Sequence, residues 1–277
     1  MAKGWVAVQY SETEQRYAKA EDGVRIAYQP RGEGFPLVLL AGQANNHHWW
    51  DHVRDDFHVA RSTITFDYRG LGASDKPEGA YSTAGFARDV IAVLDDLGIE
   101  RADVYGTSMG GRVAQWLGAQ YADRVRALVL GCTSSGGPHS IESDNEVRKT
   151  LVRPEPGVAR QALLELMYTP GWLATHAGPY NTLGDPDMPT HARRGHLAAS
   201  RHHDGWDLLP EISAPTLVVH GSDDILNPAA NAPLLAERIP GARLHIVEGA
   251  RHAYFEEFQA VAGPLVLDFL ENARPQH

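Results

Sequence analysis

One serine lies in a segment that favours nucleophilic chemistry. Gly106-Thr-Ser108-Met109-Gly110 has the G-x-S-x-G pattern, between a short apolar run that ends at Tyr105 and a helix-like stretch. A sharp turn from strand to helix forces the serine into a strained backbone conformation, and the flanking glycines avoid a steric clash. The serine then lies at a helix N-terminus, where exposed N–H groups favour developing negative charge. We therefore interpret Ser108 as a nucleophile rather than as part of an ordinary Gly-Ser turn.

A serine hydroxyl is a weak nucleophile at neutral pH, so it needs a base and a group that orients the base. The predicted strand Thr216–His220 leads into an acidic loop with Asp224, and the predicted strand Leu244–Val247 leads into a loop with His252. Both loops follow the C-terminal ends of strands, and ligands bind at that edge of an open parallel sheet. The order Ser108, acid, histidine along the chain therefore predicts one shared site.

The elements that must position these residues follow from the spacing of apolar residues. Short apolar runs alternate with amphipathic stretches of helix length, which predicts an α/β fold with a mostly parallel, eight-stranded sheet flanked by helices. The first two strands form a hairpin across Glu21-Asp22-Gly23. The predicted strands are residues 16–20, 24–29, 37–40, 63–66, 103–105, 127–130, 216–220 and 244–247, and the predicted helices are 82–97, 109–121 and 261–270.

This alternation fails between Ser134 and Trp206. The stretch is rich in proline, and helix-like pieces occur near Ala159–Met167 and Ala192–Ser200. It is too long for a plain connection between two elements. We therefore predict a core formed by residues 1–133 and 207–277, interrupted by a helical lid insertion at residues 134–206.

Four motifs in this order resemble the α/β-hydrolase superfamily, over nearly the whole chain outside the insertion. Besides the serine turn, the sequence is similar to the family's D-x-R-G-x-G-x-S loop from Asp67, its G-x-x-D-x-x-x-P loop from Gly221 and its G-x-x-H loop from Gly249. Within the superfamily, the segment Gly106–Trp116 and the tripeptide Tyr168-Thr-Pro are most similar to 3-oxoadipate enol-lactone hydrolases and related esterases. The resemblance implies an α/β-hydrolase fold and action on an ester or lactone.

Two neighbouring carboxylates, Asp223 and Asp224, follow the same predicted strand, and either is a candidate to orient His252. Adjacent side chains leave an extended segment in different directions, so at most one should face the histidine. Asp224 is third after Gly221, and Pro228 lies four residues beyond it, as in the acid loop of the family. We therefore predict Asp224 as the acid and the other carboxylate as a loop residue.

The oxyanion hole is predicted from the same resemblance. Family members carry His-Gly after the third strand, and this chain has Ala41-Gly42 there. By that register the backbone N–H groups of Gln43 and Met109 stabilise the tetrahedral oxyanion. The side chain of Gln43 or of Asn45 is a further candidate to reach the substrate.

Composition excludes several other classes of protein. The chain has 277 residues and a formal net charge of −10, which disfavours nucleic acid and anionic membrane surfaces as partners. No apolar run approaches the roughly 18 residues that cross a bilayer, and residues 1–10 lack the apolar centre of a signal peptide. The single cysteine, Cys132, excludes an internal disulfide and suits a reducing compartment. We therefore expect a cytoplasmic protein.

Cofactor and metal sites are not indicated by the sequence. Gly70-Leu-Gly72 lacks the third glycine of a dinucleotide-binding motif. The pairs His47-His48 and His202-His203 have no accompanying metal-binding pattern, so we interpret them as polar histidines of loops or of the insertion. Four tryptophans are candidates either to line an acyl pocket or, as we prefer, to pack between core and insertion: Trp49, Trp50, Trp172 and Trp206.

The sequence therefore predicts a serine hydrolase that needs no cofactor and cleaves a small-molecule carboxylic ester or lactone through an acyl-enzyme on Ser108. A serine nucleophile argues against haloalkane dehalogenases and epoxide hydrolases, which resemble this fold but use a carboxylate there. Two alternatives stay open. One is a perhydrolase, in which peroxide replaces water on the acyl-enzyme, and the other is a ligand-binding protein on a hydrolase scaffold.

Overall fold

The computed structural model of the protein describes residues 15–58, 61–151 and 156–273. Within these ranges the chain forms one eight-stranded sheet with the strand order β1-β2-β4-β3-β5-β6-β7-β8. The pairs β1–β2 and β2–β4 are antiparallel, and the other pairs are parallel, as predicted. The strands are β1 Arg16–Lys19, β2 Arg25–Arg31, β3 Phe35–Leu40, β4 Arg61–Phe66, β5 Ala102–Thr107, β6 Val125–Gly131, β7 Thr216–Gly221 and β8 Arg243–Val247.

Ten α-helices lie in the same described ranges. Three of them, α2, α3 and α10, correspond to the three helices predicted for the core, and Ser82 caps α2 by accepting a hydrogen bond from Gly85 N at 3.0 Å. The helices are α1 Asp51–His58, α2 Thr83–Asp96, α3 Met109–Gln120, α4 Asn145–Leu151, α5 Pro156–Met167, α6 Pro170–Thr175, α7 Thr190–Arg201, α8 Asn231–Arg238, α9 Tyr254–Glu257 and α10 Gln259–Asn272.

Helices cover both faces of the sheet. Helix α1 connects β3 to β4 and α3 connects β5 to β6, so the two crossovers step across the sheet in opposite directions. Because parallel crossovers are right-handed, α1 and α3 lie on opposite faces. Helix α10 packs against α1, and α2 packs against α3. Strands β4, β5 and β7 are consequently buried at every residue, so they do not show the alternation of apolar and polar residues that a half-exposed strand has.

The reversal of strand order creates the crevice in which a site can form. The chain leaves β3 toward β4 on one side and leaves β5 toward β6 on the other, and β3 and β5 are neighbours in the sheet. Loops after two such strands separate from each other, and ligands of open α/β sheets bind in the gap at the carboxyl ends. Gln43 follows β3 and Ser108 follows β5, so both lie at this gap.

Helices α4 to α7 all lie between β6 and β7, in the stretch where the alternation of strands and helices fails. Helices α5 and α7 correspond to the predicted helical pieces near Ala159–Met167 and Ala192–Ser200. That this stretch forms a lid unit with boundaries at residues 134 and 206 stays a prediction.

Helices α1 and α8 were not predicted. Both have eight residues, and α1 buries only Val53, Arg54 and Phe57, so its apolar periodicity is too short to detect. The predicted absence of a signal peptide concerns residues 1–10, which lie outside the described ranges. In the described part of the chain, no helix combines the length and the apolar character that crossing a bilayer requires.

Candidate active site

The turn that carries Ser108 is strained and tightly packed. Ser108 has φ 55° and ψ −121°, a backbone conformation that side-chain-bearing residues rarely adopt. Its N–H donates to the carbonyl of Gly131 at 2.9 Å, which ties the turn to the end of β6. A Cβ at Gly106 would lie 2.2 Å from the carbonyl oxygen of Gly110, and a Cβ at Gly110 would lie 2.2 Å from that of Leu40. Only glycine fits at these two positions, so the G-x-S-x-G pattern is explained by close backbone contacts.

The two loops after β7 and β8 bring an acid and a histidine together. The Nδ1 atom of His252 lies 2.7 Å from Oδ2 of Asp224, and both side chains are buried. The other carboxylate oxygen accepts a hydrogen bond from the N–H of Asn227 at 2.9 Å. Because the acid holds Nδ1, the Nε2 atom of the ring is left for a substrate or a nucleophile. This is the arrangement expected of a base and the group that orients it.

Asp224 and His252 each stabilise the charged form of the other. Burial by itself raises the pKa of Asp224, but the charge of His252 and hydrogen bonds from His220 and His252 outweigh burial and lower it to about 2. Burial likewise opposes the charged form of His252, yet the neighbouring carboxylate and, after it, the thiol of Cys132 raise the pKa of this imidazole above the ordinary 6.5. Asp224 therefore stays ionised across the physiological pH range, and His252 binds a proton more readily than a free imidazole does.

The structure places the two neighbouring carboxylates differently. Asp223 is exposed, its Oδ1 accepts a hydrogen bond from the hydroxyl of Ser222 at 2.8 Å, and its N–H donates to the carbonyl of Ala250. Asp224 is 2% exposed and points to the histidine. The geometry thus matches the choice of Asp224 that the sequence favoured.

The backbone N–H groups of Gln43 and Met109 lie at corresponding positions. Leu40 and Gly106 are direct partners in the pairing of β3 with β5, and Gln43 and Met109 each follow three residues later. The carbonyl of Gly42 accepts a hydrogen bond from the N–H of Asn45 at 3.2 Å, so the Gln43 N–H points away from that contact. Across the described ranges, neither of the two N–H groups donates to another group of the chain. These two N–H groups, at the ends of adjacent strands, are therefore suited to donating hydrogen bonds to an oxyanion.

The side chain of Asn45 does not have the role that the sequence suggested as an alternative. It is 5% exposed, and its Nδ2 donates to the carbonyl of Gln43 at 2.8 Å. Its Oδ1 accepts a hydrogen bond from the N–H of Gly184, also at 2.8 Å. The amide is therefore used inside the protein, and it fixes the loop after β3 to the stretch between β6 and β7 instead of reaching a substrate.

Further hydrogen bonds connect that stretch to the site. The N–H of Ala253, next to the histidine, donates to the carbonyl of Met167 at 2.9 Å, just where α5 ends. The N–H of Asp185 donates to the carbonyl of Ala44 at 2.7 Å, and its carboxylate accepts from the N–H of Gly72 at 2.8 Å. The stretch between β6 and β7 thus borders the candidate site on two sides.

His47, His48 and His203 have side-chain partners within the protein. Nδ1 of His47 lies 2.8 Å from Asp67, and Nδ1 of His48 lies 2.6 Å from Asp51. His203 was predicted as a polar histidine of the insertion, but it is 3% exposed and contacts the hydroxyl of Thr83 at 2.9 Å. Among the described residues, no three metal-ligating side chains gather into a group that could hold an ion.

The four tryptophans mainly contribute packing contacts inside the protein. Trp49 and Trp50 are buried in the core, and Nε1 of Trp49 donates to the hydroxyl of Thr107 at 3.0 Å. Trp206 stacks on a histidine ring, as does Trp172. These contacts agree with the preferred interpretation of the tryptophans as packing residues.

Comparison with known proteins establishes the class. The family model described as alpha/beta hydrolase fold matches residues 36–259. The strand order, the strained serine turn and this match together show that the chain belongs to the α/β-hydrolase family.

Three relatives narrow the range of chemistry. A protein of Azorhizobium caulinodans assigned as the carbamate hydrolase RutD is 30% identical over 252 residues, which cover 88% of this chain and 94% of the relative. The 3-oxoadipate enol-lactonase 2 of Acinetobacter baylyi is 28% identical over 231 residues, 81% of this chain and 84% of the relative. The esterase RhEst1 of Rhodococcus sp. ECU1013 has a TM-score of 0.82 at 27% identity, over 95% of this chain and all of that one. The predicted similarity to enol-lactonases and esterases is confirmed, and the protein is a hydrolase of this family.

Proposed function

We propose that the protein is a serine hydrolase that cleaves a small-molecule carboxylic ester or lactone through an acyl-enzyme on Ser108. The observation that carries the proposal is the combination of a serine at φ 55° after β5 with a buried Asp224–His252 pair after β7 and β8. A strained serine at a helix N-terminus and an oriented imidazole are the two parts that nucleophilic acyl transfer requires.

The proposed reaction has two steps. In the first, His252 takes the proton of Ser108 as Oγ attacks the carbonyl carbon, and Asp224 holds the imidazole in the required tautomer and stabilises its charged form. The protonated histidine then gives its proton to the leaving alcohol oxygen, which leaves the acyl group on the serine. In the second step, His252 takes a proton from water, the resulting hydroxide attacks the acyl carbon, and the serine departs with that proton. In a lactone the released hydroxyl belongs to the same molecule as the acyl group, so the second step frees a single ring-opened acid from the serine.

The oxyanion of both tetrahedral intermediates is assigned to the N–H groups of Gln43 and Met109. Donors of this kind stabilise charge that exists only in the transition state and intermediate, and removing one donor commonly costs about 10²- to 10³-fold in kcat. The mechanism needs no metal and no organic cofactor, since the protein supplies nucleophile, base and oxyanion donors.

The relatives support an acyl-group substrate. Their names refer to a carbamate, an enol-lactone and an ester, and each of these is a carbonyl compound with a heteroatom leaving group. We infer that the substrate of this chain belongs to the same range and that an ester or lactone fits the site best.

The test is a pair of serine variants. Ser108→Ala should remain folded and lose on the order of 10⁴-fold in kcat for a p-nitrophenyl ester, because the covalent route is removed. Ser140→Ala is the matched control, since that hydroxyl only donates to the nearby carbonyl of Gly137. A fluorophosphonate probe should label the native protein on Ser108, which intact and peptide mass spectrometry will show.

The alternatives give different results in the same experiment. A Ser108→Ala variant that keeps half of the activity contradicts the proposal. Peracid formation from acetate and peroxide at a rate above ester hydrolysis would indicate a perhydrolase. Stoichiometric ester binding without turnover or labelling would indicate a ligand-binding protein. A panel of lactones beside p-nitrophenyl esters of graded chain length separates the two proposed substrate types.

A further inference from the structure

A second histidine contacts the carboxylate that faces His252. His220 is the penultimate residue of β7, and its side chain is fully buried. Its Nε2 lies 2.8 Å from the carbonyl oxygen of Asn227 and 3.2 Å from Oδ2 of Asp224. The mechanism above assigns this imidazole no task, although it lies against the acid.

The surroundings of His220 define its protonation. Both groups near Nε2, a carbonyl and an ionised carboxylate, are acceptors, so Nε2 carries the proton. Nδ1 is buried and has no hydrogen-bond partner among the described residues. A charged ring would bury an unpaired N–H donor at Nδ1, which is costly. His220 is therefore the neutral tautomer with its proton on Nε2.

The Nε2–H of His220 contacts both ends of the turn that runs from Asp224 to Asn227. The carboxylate of Asp224 accepts from the N–H of Asn227 through Oδ1 and from His252 through Oδ2, and His220 approaches the same Oδ2. One donor thus binds the carbonyl of Asn227 and the carboxylate of Asp224 together. The carboxylate is held from both oxygens, and its rotation away from His252 would break several hydrogen bonds at once.

We propose that His220 is a positioning residue of the candidate site, whose neutral Nε2–H fixes the carboxylate of Asp224 toward His252. The inference rests on the proposed function, in which Asp224 orients the base. The role is one of orientation, because a carboxylate held from both oxygens stays in position to accept from Nδ1 of His252 and to stabilise its imidazolium.

Few other ionisable groups face this cluster. Besides Asp224, the ring of His252 is influenced by the thiol of Cys132. Tyr254 packs nearby, and its hydroxyl lies 2.8 Å from that of Tyr105. Burial raises the pKa of both tyrosines well above 10, so both stay neutral. Asp224 stays ionised, so the charge that the pH profile reports is that of His252.

The decisive comparison is between His220→Met and His220→Gln. Methionine has a similar length and no donor, whereas the amide of glutamine can place an N–H near the position of Nε2. We expect the Met variant to lose about tenfold in kcat for a p-nitrophenyl ester, with little change in KM. We also expect the acidic limb of its kcat/KM profile to shift to lower pH, because an Asp224 carboxylate that can rotate away stabilises the His252 imidazolium less. The Gln variant should recover most of kcat and return the limb toward that of the native protein.

Three outcomes overturn the inference. A folded Met variant with native kcat and an unchanged pH profile, differing only in melting temperature, would show a purely structural role. A folded Gln variant as impaired as the Met variant would show that donation of the N–H is not what matters. Should the Met variant fail to fold, His220→Asn replaces it, since its shorter amide does not reach the acid. Equal kcat for the Asn and Gln variants would then contradict the inference.

A readout without turnover separates this inference from the proposed function. Nitrogen-15 NMR of the imidazole rings reports the tautomer of His220 and the titration of His252 directly. We expect His220 of the native protein to be the Nε2–H tautomer at pH 7, and we expect a lower titration midpoint of His252 in the Met variant. A native His220 protonated on Nδ1, or charged at pH 7, overturns the inference. Absence of ester turnover and of probe labelling in the native protein, with these NMR results unchanged, would refute the proposed function alone.

Discussion

At the scale of single residues, the two neighbouring carboxylates give the sharpest contrast. Asp224→Asn should lower kcat by about 10²- to 10⁴-fold, because an amide next to Nδ1 stabilises the wrong tautomer of His252. Asp223→Asn should cost at most about tenfold, since this exposed carboxylate acts on the pair only through its charge. Steady-state kinetics on both folded variants measures the ranking. The reverse ranking would assign the acid to Asp223.

The protonation of His252 predicts the pH dependence. The base accepts the serine proton only when it is neutral, and Asp224 raises the pKa of His252 above the ordinary 6.5. We therefore expect kcat/KM to rise with pH through a midpoint above 6.5 and to fall as the pH drops below it. A profile that is flat from pH 5 to 9, with the chemical step limiting, would argue against His252 as the base.

The position of the principal candidate residues in the fold could be predicted because motif and position agree, and their catalytic roles stay a prediction. Ser108, Asp224 and His252 each follow a strand with a recognisable apolar pattern, so their meeting at one sheet edge follows from topology. His220 could not be assigned in this way. It lies inside the strand pattern as one more residue of β7, and its contact with Asp224 depends on how the following loop turns back. Neither spacing nor composition describes that turn.

At the scale of elements, the fit between α3 and β3 can be tested directly. Gly110→Ala would place a Cβ 2.2 Å from the carbonyl of Leu40, so the helix must shift away from the strand. We expect a loss of about 3 kcal/mol in the free energy of unfolding, together with most of the activity, since Met109 shares this turn. Gly157→Ala is the control, because a Cβ there meets no atom within 4 Å.

Chemical denaturation and ester kinetics on the two glycine variants check this prediction. Alanine in the helix of the control is expected to be neutral or stabilising by up to about 1 kcal/mol, through its higher helix propensity. A Gly110→Ala variant with native stability and activity would show that α3 and β3 are not packed as closely as described.

The elements differ in how well sequence predicts them. Strands buried on both faces are the easiest to find when they carry an apolar run, and β7 was predicted to within one residue, as 216–220. Strand β4 carries fewer apolar residues, and its prediction as 63–66 missed its first two residues. Helix α1 is mostly charged and buries only three residues, so its place is set by packing against β4 and α10 rather than by its own pattern. Tertiary contacts decide such short helices, and local sequence does not record them.

At the scale of the whole molecule, the stretch between β6 and β7 is connected to the core by polar contacts. Arg112 of α3 donates to the carbonyl of Ser200, at the end of α7, at 2.6 Å, and to the hydroxyl of Ser134 at 3.0 Å. Asn45 and the N–H of Ala253 add contacts at the other side. The sequence predicted helices in this stretch but none of these contacts, because each joins positions far apart in the chain. These contacts must break before the stretch can move away from the core.

The buried thiol of Cys132 can be used to measure transient opening of the structure around it. It is the only cysteine in the chain, it is fully buried, and its thiol lies near the imidazole of His252. A thiol reagent can modify it only while the surrounding structure is transiently open, so the rate of modification counts openings of the active-site region over minutes to hours. Phosphonylation of Ser108 should slow that rate if the occupied site is more rigid, and mass spectrometry can follow it without any substitution.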